Sequence, residues 1–392
     1  MKWASKSLSE VVVFRGGGTP SKATAKYWTG DIPWVSSKDL KSDLIFTSAD
    51  KITAEAIKNS SASMLPEGAV LMVTRSGILK RTIPIGLTMR QLTVNQDLKA
   101  LCVREGTSPK FLFYFLKASE PFLLSRVTRS ATVHRLQADI IKNLQIPVPP
   151  LPEQERIVSI LDEAFEGIAT ATAHAERNLH NARELFQSVL QSTFEQKGEG
   201  WVETTLKDVC GITAKLADPK DDAFIDLLHV GGANIESNTG KLIELKTARE
   251  EGLISGKFPF DQSMVLYSKI RPYLMKVARP DFEGLCSADI YPLSPKNGVL
   301  DRDFLFHALL TEGFTDYAIQ GSGRAGMPKV NRTHLFAYRI AIPPLDEQKA
   351  IVQKLDALAS ETRRLEAVYQ RKLDALAELK QSLLQRAFAG EL

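Results

Sequence analysis

The run Gly321-Ser322-Gly323-Arg324-Ala325-Gly326 has the spacing of a phosphate-cradling loop, in which N–H groups at a helix start meet a pyrophosphate. That chemistry requires a strand before the glycines and a helix after them. Here the preceding segment has a helical pattern, and Met327-Pro328-Lys329-Val330-Asn331 follows without helical periodicity. The run therefore reads as a flexible glycine loop that carries Arg324 and Lys329 outward. Glycine lets the backbone approach a phosphate, and Arg can fork onto phosphate or guanine. Arg129-Ser130-Ala131-Thr132-Val133-His134-Arg135 offers the same kinds of donor earlier in the chain.

Other catalytic arrangements fall short. Metal-assisted hydrolysis needs clustered carboxylates with a lysine, which Asp226, Glu244 and Lys246 imitate only loosely. A base methyltransferase needs a Gly-rich cofactor loop and an Asn/Asp-Pro-Pro-aromatic loop, but the Pro-Pro pairs in VPPLPEQ and IPPLDEQ lack both flanking residues. His174 and His180 do not have the i, i+4 spacing of a helical metal pair. Cys102, Cys210 and Cys286 form no CxxC, which argues against a zinc knuckle or a disulfide framework and fits a reducing compartment. No self-sufficient active site emerges, and neither a metal nor a cofactor is expected in this chain.

The overall charge of +4 becomes informative once it is mapped along the sequence. Residues 1–152 carry 21 Lys/Arg against 11 Asp/Glu, whereas residues 198–345 carry 17 against 19. A basic excess of that size in the first globular segment points to a polyanion. In the second segment positive charge is concentrated locally, as Lys269, Arg271, Lys276 and Arg279. No stretch approaches the roughly 20 apolar residues of a membrane helix, and MKWASKSLSE lacks the apolar core of a signal peptide, so a cytoplasmic location is expected.

The elements that would position these residues come in two copies. PPLPEQERIVSILDEAF (149–165) matches PPLDEQKAIVQKLDALA (343–359), and the register continues through Arg177 with Arg371 and Phe194 with Phe388. Trp3, Leu8 and Val11 correspond to Trp201, Leu206 and Val209, and FLFYFL (111–116) parallels FLFHAL (304–309). The chain is thus a tandem repeat of one unit, a globular part followed by a helix. After each Pro-Pro break, apolar or small residues recur at three- and four-residue steps: Ile157, Leu161, Ala164, Ile168, Ala171, Ala175, and Ile351, Leu355, Leu358, Thr362, Leu365, Tyr369. Each series meets a polar residue, Asn178 or Lys372, then resumes with Ala182, Leu185, Val189 or with Leu376, Leu379, Leu383. This is a coiled-coil seam, and a helix of about 40 residues spans roughly 60 Å.

A single such helix cannot hide its seam alone, and connectivity makes an antiparallel pair the simplest solution, with Leu392 returning near Met1. The short β-branched runs AVLMVTRSG (69–77) and SMVLYSKIR (263–271) read as strands, and Trp34 and Trp201 as core aromatics. The expected fold class is α+β: two mixed α/β domains, 1–152 and 198–345, separated by two long antiparallel coiled-coil helices, 153–197 and 346–392, in a pseudo-twofold internal repeat.

Gly17-Gly18-Thr19-Pro20-Ser21 and Tyr27-Trp28-Thr29-Gly30-Asp31-Ile32-Pro33-Trp34-Val35-Ser36 resemble the opening of target-recognition domains in type I restriction–modification specificity subunits. IPVPPLPEQERIVSILD and IAIPPLDEQKAIVQKLD resemble their helix entrances, and SKIRPYLMK and GLCSADIYPLSP resemble the same family. The second domain lacks the GGTP opening, which suggests a different target sequence. The resemblance implies a non-catalytic subunit that reads a bipartite, asymmetric double-stranded DNA target. It also implies binding of two modification (methyltransferase) subunits, which hold S-adenosylmethionine, and of up to two restriction (translocase/nuclease) subunits. The helices would set the gap between the two half-targets, and a roughly 60 Å strut is ample for readers about 34 Å apart.

On this reading the first-domain DNA contacts are Thr19, Ser21, Tyr27, Lys38, Arg75, Lys80, Arg81, Arg129, His134 and Arg135. Those of the second are Lys269, Arg271, Tyr273, Lys276, Arg324, Lys329 and Asn331. Ile157, Leu161, Ile168, Ile351, Leu355, Leu358 and Leu365 form the seam and contribute to subunit docking. The rival reading is a coiled-coil scaffolding protein without DNA readout, which salt-sensitive binding of one bipartite sequence would exclude.

Overall fold

The computed structural model describes residues 3–130, 133–323 and 328–392. The chain forms two compact units, one made of Met1–Ala175 with Arg371–Leu392 and the other of Glu176–Gln370. Two helices of 45 residues, Leu151–Glu195 and Leu345–Ala389, each contribute to both units. Among the described residues no helix is long and apolar enough to cross a membrane.

In the first unit a five-stranded sheet runs Val12–Gly16, Leu98–Val103, Val70–Val73, Ile85–Thr88, Leu44–Ile45, antiparallel except for its last pair. A three-stranded sheet of Asp50–Ile52, Ile32–Val35 and Thr93–Val94 lies beside a small aromatic core of Trp34, Ile52 and Ala56, joined by Tyr27 and Trp28. The GGTP opening is built into this region. A Cβ on Gly17 would meet the Val94 carbonyl oxygen at 2.0 Å, and one on Gly18 would meet Ser61 Oγ at 2.1 Å, so only glycine fits. Trp34 Nε1 donates to the Gly18 carbonyl at 2.8 Å.

The second unit repeats the plan as two four-stranded sheets. One four-stranded sheet runs Cys210–Gly211, Ile290–Pro295, Val265–Ser268, Val277–Ala278, and the other Lys246–Thr247, Leu228–Val230, Gly284–Cys286, Phe258–Phe260. Local devices recur in place. Asp39 accepts from the Ser36 N–H at 2.8 Å and Asn234 from the Gly231 N–H at 2.9 Å. Thr53 and Thr247 each cap a short helix by accepting a backbone N–H.

FLFYFL lies in the helix Pro109–Ala118, capped by Ser108 with Pro109 in its first turn, and FLFHAL in Arg302–Ala308, capped by Asp301. Phe111 and Phe304 are fully buried in their respective cores. The ends of the long helices complete those cores. Leu384 and Ala387 are buried in the first, with Phe388 lying 5.0 Å from Phe111 between ring centroids; Leu190 is buried in the second, with Phe194 5.0 Å from Phe304.

Within each unit the two helices run antiparallel. In the first, Ile157 and Leu161 share a core with Leu384 and Ala387, and Arg156 donates to the Leu392 carbonyl at 2.7 Å. In the second, Arg183 pairs with Glu366 at 2.6 Å and Leu190 shares a core with Val352 and Leu355. Trp3 packs on the same core as Leu392, while Met1 lies outside the described residues.

The seam departs from expectation beyond Asn178 and Lys372. Ala182 is buried as expected, but Leu185 and Leu379 are exposed, and burial resumes at Leu190, Leu384 and Ala387. The last turns of each helix turn their apolar face to a globular core, so the burial phase shifts. Ile157, Leu161 and Leu355 are buried in those cores; Ile168, Ile351, Leu358 and Leu365 are half-buried. Trp34 is buried, and Trp201 is half-buried against Phe304.

Candidate nucleic-acid interface

The duplicated helix entrance is a structural lock. Gln154 is fully buried; its Oε1 accepts from the Ser108 N–H at 2.9 Å, and its Nε2 donates to the carbonyls of Gly106 and Pro149 at 3.0 and 2.8 Å. Gln348 repeats the pattern with the Asp301 N–H at 2.8 Å and the carbonyls of Val299 and Pro343, both at 2.9 Å. A second tie lies two turns on. Asp162 accepts from Lys110 at 2.5 Å and from the Tyr114 hydroxyl, while Asp356 accepts from Arg279 at 2.5 Å and from His307 Nε2 at 2.8 Å. Burial alone would raise the Asp356 carboxyl, but hydrogen bonds from His307 and Arg279 outweigh it and hold it well below the usual carboxylate range. Arg279, half-buried against the Phe306 ring, belongs to this tie rather than to a free basic surface.

These ties hold each domain on its helices, and the exposed cations gather on a small ribbon elsewhere in the domain. In the first domain Arg75–Ser76 pairs antiparallel with His134–Arg135, setting Arg75 opposite Arg135. Arg135 also exchanges backbone hydrogen bonds with Thr128 at 2.8 and 3.0 Å, which brings in Arg129. The turn Gly77–Lys80 lies against the His134–Arg135 strand and leads into Arg81. Arg75, Lys80, Arg81, Arg129 and Arg135 are all exposed, and none forms an ion pair with a described residue. His134 is half-buried, its Nδ1 accepting from the Ser130 N–H at 3.4 Å. Ala131 and Thr132 lie outside the described residues.

The second domain carries the same ribbon. The offset of 195 that relates Val70–Val73 to Val265–Ser268 takes Arg75 onto Ile270, and Ile270 bridges Lys329. The Arg271 N–H donates to the Pro328 carbonyl at 2.9 Å, and the Lys329 N–H to the Ser322 carbonyl at 3.3 Å, as Arg135 does to Thr128. The following turn, Pro272–Leu274, is flanked by Arg271 (φ 52°) and Met275 (φ 47°), both left-handed and neither glycine. Such backbone costs about 1–3 kcal/mol per residue and persists only where its surroundings hold it. Arg271, Tyr273 and Lys329 are exposed; Lys329 pairs with Asp289 at 3.5 Å, while Arg271 forms no ion pair with a described residue.

The remaining expected contacts sit elsewhere. Lys269 is 9% exposed; its Nζ donates to the Ala288 carbonyl at 2.5 Å, faces the Tyr291 ring at 5.0 Å, and burial lowers its pKa. It is a core lysine, because its strand turns it inward. Lys276 is half-buried, with Nζ on the Gly232 carbonyl at 2.5 Å, and Asn331 spends its side chain capping Arg332–Phe336. Arg324 lies outside the described residues. Thr19 donates to Gln96, Ser21 accepts from Trp28 Nε1 at 3.2 Å through its carbonyl, Tyr27 packs on the aromatic core, and Lys38 pairs with Asp50 at 2.8 Å. The polar groups of Thr19 and Lys38 are thus already engaged. Asp226 is held by Arg249 at 2.8 Å.

A family model described as the type I restriction modification DNA specificity domain matches residues 1–177 and again 198–373. The chain belongs to the type I restriction–modification specificity family. It is 30% identical to the EcoDI specificity subunit of Escherichia coli over 72% of this chain and 70% of that protein. It is 24% identical to the MjaIX specificity subunit of Methanocaldococcus jannaschii over 100% of this chain and 93% of that one. Two solved structures share the fold at 19% identity. One is a chain from work on complex assembly and conformational transition of the type I R-M system, with a TM-score of 0.77 covering 100% of this chain and 98% of that one. The other is the HsdS subunit of Thermoanaerobacter tengcongensis, with a TM-score of 0.57 covering 100% and 97%. As a specificity-family member the chain is a non-catalytic component whose role is DNA specificity.

The buried glutamines were missed by sequence reading, although the repeat contained their signal. A residue kept in both copies of PPLxEQ, at the first turn of a helix that must dock on a domain, is a candidate for satisfying buried backbone groups.

Proposed function

We propose that this specificity chain reads a bipartite, asymmetric sequence in double-stranded DNA, each domain contacting one half of the target through its ribbon. The reading rests above all on the five exposed, unpaired cations of the first ribbon. Like charges at such density repel one another and are stabilised by a polyanion, whose bound counterions they release. The recurrence of the ribbon at the same place in the repeat supports a second contact.

The chain positions two modification subunits on the DNA, and two restriction subunits can join them. S-adenosylmethionine belongs to the modification subunits, which take the target base out of the stack, and this chain supplies the address. The long helices set the gap between the half-targets. The complex acts in the cytoplasm.

Methylome sequencing of a host with and without the gene tests this reading. One split adenine motif should vanish with the gene; an unchanged methylome would refute it. Removing one heptad from both long helices should shorten the gap and leave the two half-motifs intact.

A further inference from the structure

We propose that Tyr273 is a base-reading residue of the second domain, placed against the major-groove edge of an A·T pair. The proposal rests on the ribbon reading above and assigns a division of labour within it. Tyr273 keeps 53% of its surface exposed at the apex of the turn Pro272–Leu274. Its ring stacks on no described aromatic residue and sits under no described cation. Exposed Arg271 and Lys329 flank it on the paired strands.

The turn that carries it is held rigidly. Pro272 is buried, Arg271 is tied to Pro328, the Leu274 N–H donates to the Arg271 carbonyl at 2.9 Å, and the Met275 carbonyl accepts from the Asn238 N–H at 3.1 Å. Two left-handed residues at its ends thus aim one aromatic side chain outward. The equivalent turn of the first domain has no such backbone, with Ser76 at φ −177° and Arg81 at φ −124°, and places half-buried Ile78 where Tyr273 stands.

A neutral phenol lacks the full positive charge that draws Arg271 to phosphate. Its ring can instead contact a thymine methyl while its hydroxyl meets a polar atom of a base edge. Arg271, beside it on the ribbon and exposed, then serves as a phosphate contact without sequence preference.

The test uses the chain assembled with its modification subunits and selected on a random-sequence duplex library. Y273A should relax one A·T position in one half-motif by roughly tenfold or more and leave the other half unchanged, whereas Y273F should retain the methyl-dependent share. Replacing the thymine of that pair by uracil should weaken the parent complex and leave Y273A indifferent. R271A should weaken binding to every sequence and lower the salt slope by about 1 without altering the motif. A Y273A motif as sharp as the parent's overturns the proposal, as does a uniform loss across all sequences, which would place the ring on the backbone. A parent complex that selects no sequence at all would instead defeat the ribbon reading itself.

Discussion

Where the first ribbon sets Arg75 opposite Arg135, the second sets Ile270 opposite Lys329, and where the first carries Ile78 in its turn, the second carries Tyr273. The frames behind them hardly differ: Gln154 and Gln348 bond equivalent backbone groups, and Asp39 and Asn234 close equivalent turns. Duplication has kept the parts that hold a domain on its helix and changed the parts offered to solvent. A chain reading two different half-sequences needs this pattern, because its halves must be mounted alike and must discriminate differently.

The sharpest way to break the comparison is to attack the shared frame. Gln154→Leu or Gln348→Leu would strand one buried N–H and two buried carbonyls, at about 3–5 kcal/mol in total. Because the two locks are equivalent, each substitution should destabilise its own unit by a similar amount and leave the other unit's transition in place. Urea unfolding followed by hydrogen exchange resolves the units. A large difference between the two variants would show that the frames are not equivalent.

The next largest effect should separate the ribbons. Arg75→Ala with Arg135→Ala removes two unpaired cations, and the salt slope of DNA binding by the assembled complex should fall by about 2, with affinity reduced tenfold or more at low salt. The second ribbon offers one cation at the paired positions, Lys329, and Asp289 already holds it at 3.5 Å, so K329A should lower the slope by well under half as much. Equal slopes for the two changes would erase the electrostatic asymmetry between the ribbons.

How much of this was legible beforehand follows from the range of each interaction. The repeat, the long helices and the strands at 69–77 and 263–271 were readable, because each rests on local pattern. The partnership of Arg75 with Arg135 was not, since the two lie 60 positions apart in the chain. Lys269 and Arg271 look alike in SKIR, yet one is inward and the other outward, a difference set by the strand that Lys269 follows and by the left-handed turn at Arg271. The seam failed at Leu185 and Leu379 because heptad counting knows only the partner helix, and there a globular core takes over the apolar face.

A smaller asymmetry lies in the ties. Asp356 is held below the ordinary carboxylate range, so its ionised form favours the folded second unit. That contribution is fully present above the unfolded value of about 3.9 and is lost as pH falls below it. The side chain keeps 36% of its surface exposed, and solvent screening holds the expected loss to about 1 kcal/mol. Asp356→Asn should therefore flatten the acid limb of second-unit unfolding below about pH 4. An acid limb identical to the parent's would remove Asp356 from the account.

The smallest effect is expected inside the first domain, and it tests whether position on the ribbon matters more than charge. Lys38 is as exposed and as cationic as Arg75, but it pairs with Asp50 and stands where the second domain carries Ala233. Exposed pairs of this kind contribute about 0–1 kcal/mol, so Lys38→Ala should barely move unfolding. It should also leave the salt slope of DNA binding unchanged, since a lysine already neutralised by a carboxylate releases no further counterion when DNA arrives. A slope lowered by about 1 would show that Lys38 leaves Asp50 for a phosphate, and would extend the DNA-facing surface from the ribbon to Lys38.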